Sequence, residues 1–163
     1  MSMDETLVIG VGQEHRGDDA AGLLVARRVA GAPPGNLPAL RVVEHGGDGM
    51  DLLLAWEGAR SVVVVDAVVS GGHRVGDVHR FDARRDPLPS ALFAAHSTHA
   101  LGVADAIELA RAMERLPARM VVYGIESACF DTGSRPGPEV LAAVDTVAER
   151  VLDEIEGAAA RDA

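Results

Sequence analysis

The sequence predicts a three-layer α/β/α sandwich around a mostly parallel central sheet, built as one domain over residues 1–163. Short β-branched runs alternate with segments of helical periodicity, the order expected when crossover helices join parallel strands. The run Ser61-Val62-Val63-Val64-Val65-Asp66 is apolar until its last residue, as a strand covered on both faces must be. Size agrees: a chain of 163 residues, 48% apolar, buries roughly 70% of its unfolded surface without covalent staples.

Each element has a local reason. Residues 6–10 read as a buried strand. Residues 18–30 read as a helix with Leu24, Val25 and Val29 inward, and 41–44 as a second strand. Asp48 is the N-cap of a helix reaching Trp56, and 61–66 form the central strand. Residues 78–81 read as a more exposed strand. Beyond Pro87 and Pro89, an amphipathic helix is expected over 98–116, with Leu101, Ala104, Ile107 and Ala110 inward and Ser97 or Thr98 as its cap. Residues 120–125 form the next strand. Gly137-Pro138-Glu139 opens a last helix reaching Ile155, with proline early, where its missing N–H costs nothing, and 157–163 are expected to fray.

Composition narrows the function. The 25 acidic and 15 basic side chains give a formal charge of -10, and every basic residue is arginine, which disfavours Schiff-base chemistry. The arginines are scattered along the chain, so nucleic acid is not the expected partner. Cys129 is the single cysteine and cannot form an internal disulfide, which suits a reducing cytoplasm. No apolar stretch approaches the roughly 20 residues of a membrane span, and the acidic start lacks a signal-peptide core.

In an open α/β sheet the ligand site lies beyond the carboxyl ends of the strands. The loop after the first strand, Gly10-Val11-Gly12-Gln13-Glu14-His15-Arg16-Gly17-Asp18-Asp19, begins like a dinucleotide fingerprint. His15 replaces its third glycine, however, and two carboxylates would repel a phosphate at the helix start. Asp18 either caps that helix or faces the site, and Asp19 either complements the helix dipole, worth ~0.3–1 kcal/mol, or faces the site too. Asp66 follows four valines, and a buried anion needs a partner. His99, in His96-Ser97-Thr98-His99, is either a surface residue or a ligand. With Asp19 and Asp66 it makes an open N,O set suited to nickel or zinc. A triad of Ser97, His99 and Asp66 is disfavoured because no G-x-S-x-G elbow is present. Cys129 is read as a loop-bound thiol. His15, His45, His73 and His79 lack comparable placement, the last two on a solvated hairpin.

These segments resemble the hydrogenase maturation endopeptidases. Residues 8–22, from Val8-Ile9-Gly10 to Asp18-Asp19-Ala20-Ala21-Gly22, are similar to that family's opening G-x-G-N-x-L-x-x-D-[DE]-x-x-G. Val64-Val65-Asp66-Ala67 resembles its I-D-A segment, and Ser97-Thr98-His99-Ala100-Leu101-Gly102 its S-x-H-x-L-G element. Gly124-Ile125-Glu126 and Gly137-Pro138-Glu139-Val140 resemble its last strand and the S-P-E-V start of its final helix. The sequence departs where the family's asparagine is Gln13, its leucine is His15, and its D-G-G-T stands as His45-Gly46-Gly47-Asp48.

The resemblance implies a phosphorylase/hydrolase-like sheet and a nickel-dependent endopeptidase. Such an enzyme removes the C-terminal extension of a [NiFe] hydrogenase large-subunit precursor after nickel insertion. It places the metal-contacting, catalytic positions on Asp19, Asp66 and His99. The nickel is carried by the precursor's cysteines, and Gln13, His45 and Asp48 fall where substrate choice is affected. A cytoplasmic monomer or weak homo-oligomer is expected, partnered by the precursor and by neither nucleic acid nor membrane. Two alternatives remain at this point: a nucleoside or phosphate-ester hydrolase or phosphorylase on a related sheet, and a non-catalytic, metal-dependent binding homologue.

Overall fold

The computed structural model describes residues 5–32, 35, 39–94 and 99–162. Its elements run β1 (Thr6–Val11), a 3₁₀ turn (Gly17–Ala20), α1 (Ala21–Gly31), β2 (Leu40–His45), α2 (Gly49–Trp56) and β3 (Ser61–Val68). There follow β4 (Val78–Asp82), α3 (Ser90–Ala94), α4 (Val103–Ala112), β5 (Arg119–Glu126) and α5 (Pro138–Asp162). The sheet has the order β2-β1-β3-β5-β4, parallel throughout except for β4, which pairs antiparallel with β5 at the edge. Among the described residues no helix is long and apolar enough to cross a membrane.

Side-chain alternation along the strands builds two cores. Leu7, Ile9, Val62, Val64 and Val122 face α2, α3 and α4, while Val8, Val63, Val65 and Ile125 face α1 and α5. The valine run is buried at every position, as expected for a central strand. Asp66 shares the parity of Val62, Val64 and Val68, so it lies on the α2–α4 face, and β3 runs on past the expected end at Asp66 to the buried Val68.

Local chemistry sets most boundaries. The Asp48 carboxylate accepts from the Met50 and Asp51 amides at 3.0 and 3.2 Å, so the expected cap is present. Pro138 is the first residue of α5. Three expectations are corrected. The helix anticipated over 98–116 is confined to Val103–Ala112: Gly102 is its N-cap, the Asp105 carboxylate accepts from the Gly102 amide, and Glu114 turns to φ 56° beyond its end. Leu101 therefore lies ahead of the helix and is 41% exposed, while Ser97 and Thr98 lie outside the described residues. The first helix begins at Ala21, after the 3₁₀ turn, and buries Leu23 rather than Leu24. The last helix continues through Asp162, with Ala158 buried and its carbonyl accepting from Arg119.

Gly22 lets α1 lie directly on the sheet. A Cβ there would stand 2.2 Å from the Val11 carbonyl oxygen and 2.4 Å from that of Val65. Two backbones close on this one residue, and neither can yield without shifting a central strand. Gly22→Ala is therefore expected to lose about 3 kcal/mol of stability, measured as a lower urea midpoint with an unchanged m-value.

Candidate active site

β1 is followed by a crossover to β2 on one side, and the chain then returns across β1 to form β3 on the other. The loops after β1 and β3 therefore diverge and leave a cleft at this topological switch point. Gly12, Gln13, Arg16 and Asp19 line it from the first loop, Gly46 and Gly47 from beyond β2, Asp66 from β3, and His99 and Val103 from the segment entering α4. Its volume is about 20 Å³, room for one water or one ion.

The first loop is held from a distance. Asp18, only 2% exposed, accepts from the amides of Ala128 and Cys129 on one carboxylate oxygen and from Gly137 on the other, at 2.8–3.0 Å. Its own amide donates to the Cys129 carbonyl, and Gly17 donates to Ser134. Asp18 is thus no helix cap. It ties the loop after β1 to the loop after β5, and Asp19 follows on a backbone that this tie immobilises. Gly17, at φ 57°, lies so close to the Cys129 carbonyl that a Cβ would stand 2.4 Å away. Cys129 contributes main-chain bonds, and its thiol lies 3.6 Å from Asp131.

The expected residues converge on this cleft. Asp19 and Asp66, 4% and 5% exposed, line it together with His99. His99 Nε2 is 3.1 Å from the Gly46 carbonyl oxygen, which can only accept, so Nε2 carries a proton. Nδ1 lies 3.8 Å from the Asp48 carboxylate. Gln13 donates to the same Gly46 carbonyl over a longer 3.4 Å. His45 Nδ1 accepts from the Gly47 amide at 2.9 Å, and burial pushes this imidazole below the usual histidine value against the opposing charges of Asp51 and Asp48. Gln13, His45 and Asp48 thus surround the two-glycine rim on which His99 rests.

Two carboxylates and an imidazole are a suitable donor set for a borderline divalent ion. Among the described residues, no three His, Cys, Asp or Glu side chains stand close enough to enclose an ion by themselves. Larger grooves exist elsewhere. One of about 740 Å³ runs between α2 and α4 and is mainly apolar, and one of about 490 Å³ lies by Ser61, Arg80 and Arg119. Neither lies at the carboxyl ends of the central strands, and the donor set rather than volume locates the chemistry.

Sequence reasoning missed two groups. Arg16 reaches into the cleft, its guanidinium 3.6 Å from the Asp19 carboxylate and 5.8 Å from the Phe130 ring centre. Its i, i+3 spacing from Asp19 was the available signal. His79 is on the β4 edge strand rather than a solvated hairpin, and its Nε2 lies 2.8 Å from the buried Glu126 carboxylate. Burial pushes the Glu126 carboxyl up, but hydrogen bonds from Ser70 and His79 outweigh it and leave it below the usual glutamate value. His73 packs edge-on against His79. His15 adopts φ 61° in the first loop and accepts from Gly133 through its carbonyl.

The family model described as hydrogenase maturation protease matches residues 27–154. The chain belongs to the hydrogenase maturation protease family. Among solved structures, the hydrogenase maturating endopeptidase HybD from E. coli superimposes with a TM-score of 0.79 at 22% identity, over 94% of this chain and 93% of that one. The [NiFe] hydrogenase maturation protease HybD from Thermococcus kodakarensis gives 0.70 at 26% identity, over 93% and 99%. A solution structure of an endopeptidase from Escherichia coli gives 0.78 at 24%, over 94% and 93%. No curated protein matches the sequence. The mixed five-stranded sheet and its flanking helices match the fold of these maturation proteases, and the chain is a peptidase of this family.

Two outcomes follow for the tethers around the cleft. Asp18→Ala removes the acceptor for three amides and is expected to lower stability by about 3 kcal/mol in urea titration, with Asp18→Asn intermediate because an amide offers one acceptor oxygen. The depressed Glu126 value means that its contribution is fully present above the unfolded carboxyl value of about 4.3 and is lost as pH falls through the folded one. Glu126→Gln should flatten that acid limb of the stability–pH curve, measured by thermal melting.

Proposed function

We propose that the cleft grips the nickel of a [NiFe] hydrogenase large-subunit precursor and so docks the precursor for removal of its C-terminal extension. The observation that carries this reading is the meeting of Asp19, Asp66 and His99, from three distant parts of the chain, around a space for one ion. An incomplete donor set suits a metal that arrives with protein ligands of its own. A precursor lacking nickel offers the cleft nothing to hold, whereas a loaded one is fixed with its scissile bond near the carboxylates.

Each residue then has a task. The Gly46 carbonyl accepts from Nε2 and orients the His99 ring. The Asp18 tether sets the position of Asp19. One of the two cleft carboxylates accepts a proton from the water that attacks the scissile carbonyl, and that proton passes to the departing amine as the C–N bond breaks. Gln13, His45 and Asp48, around the Gly46–Gly47 rim, select among precursors. His45 and Asp48 stand where the usual motif has aspartate and threonine, so either the hydrogenase class served is different or the substrate is not the usual one.

The test is incubation of the cognate precursor, with and without nickel, followed by mass spectrometry of the released peptide. Asp66→Ala and His99→Ala are each expected to slow cleavage of the loaded precursor at least about a hundredfold while melting like the wild type. Normal cleavage by both variants would overturn the reading.

A further inference from the structure

Asp19 is nearly buried, and a cationic side chain of its own loop stands beside it. Arg16 lies one 3₁₀ turn before Asp19, with its guanidinium 3.6 Å from the carboxylate and itself only partly exposed. It is not a loose surface arm. The Phe130 ring lies under the guanidinium, and the backbone on either side is fastened by the Gly133–His15, Gly17–Ser134 and Asp18–Cys129 hydrogen bonds. A permanent monocation is therefore built into the wall of the cleft that Asp19, Asp66 and His99 share.

That charge acts in opposite directions on two forms of the same metal. A hydrated divalent cation approaching Asp19 must come close to the guanidinium, and like charges in a partly desolvated space repel. A metal already surrounded by anionic ligands presents negative charge outward, and the guanidinium attracts it. We infer that Arg16 is a specificity-determining residue, which offsets the charge of Asp19 and biases the cleft, against the pull of Asp19 and Asp66 on a bare cation, toward a divalent metal that brings anionic ligands with it. The inference rests on the reading of the cleft as the place where the substrate's metal is gripped. It adds that the chain discriminates between loaded substrate and free ion by charge as well as by shape.

The experiment uses the full, tag-free chain and isothermal titration calorimetry. The variants are Arg16→Met, which keeps the aliphatic cover of Phe130, and Arg16→Lys, which keeps the charge; melting curves establish that both are folded. The probes are Ni²⁺ alone and nickel bound in a four-cysteine peptide, whose thiolates leave the complex anionic. Arg16→Met is expected to bind Ni²⁺ about tenfold more tightly than wild type and the thiolate complex about tenfold more weakly, with Arg16→Lys close to wild type for both. An Arg16→Met chain that binds the free ion no more tightly, or the thiolate complex no more weakly, overturns the inference. This readout is independent of cleavage. Failure here alongside lost processing in Asp66→Ala leaves the proposed function standing, and the Arg16 shifts alongside intact processing in Asp66→Ala and His99→Ala sink the proposed function instead.

Discussion

One carboxylate organises the working end of the molecule. Asp18 spends both oxygens on main-chain amides from the far end of the chain, so the loop after β1 and the loop after β5 behave as one body. A carboxylate accepting several backbone N–H groups is a charge-assisted junction rather than a surface ion pair, and it is strong where a salt bridge between flexible side chains is weak. Everything the first loop offers the cleft, Gln13, Arg16 and Asp19 alike, hangs from that junction.

The sheet supplies the second constraint. At the switch between β1 and β3 the backbone itself must make room, and the bare face of Gly22 does so by letting α1 rest on the main chains of both strands. The helix that follows Asp19 is thereby seated without slack. Membership in the hydrogenase maturation protease family agrees with a sheet that serves as a rigid mount for the loops at its rim.

Much of this was legible in the sequence because it is local. The unbroken valine run declares a central strand, Asp48 ahead of Met50 and Asp51 declares a cap, and Pro138 declares a helix start. Asp19 and His99 are recognisable as polar residues ahead of helices and Asp66 as a carboxylate closing a valine run, and the topology brings them to one cleft. What remained hidden depends on pairings across the chain. Asp18 reads as a cap because its acceptor-seeking neighbours lie more than a hundred positions away, and His79 reads as exposed because nothing near it in sequence announces Glu126. The start of α4 was misplaced because Ser97 and Thr98 looked like caps, whereas the Asp105 carboxylate serves the amide of Gly102 from inside the helix.

The carbonyl of Gly46 has a consequence of its own. It accepts from His99 Nε2 and so fixes one ring hydrogen, while the Asp48 carboxylate stands 3.8 Å from the other ring nitrogen. Gly47, next along, takes φ 95°, a conformation that side-chain-bearing residues rarely adopt. Rotation of that peptide plane would withdraw the acceptor shared by His99 Nε2 and Gln13, so the least decorated stretch of the rim sets how the imidazole is oriented in the cleft.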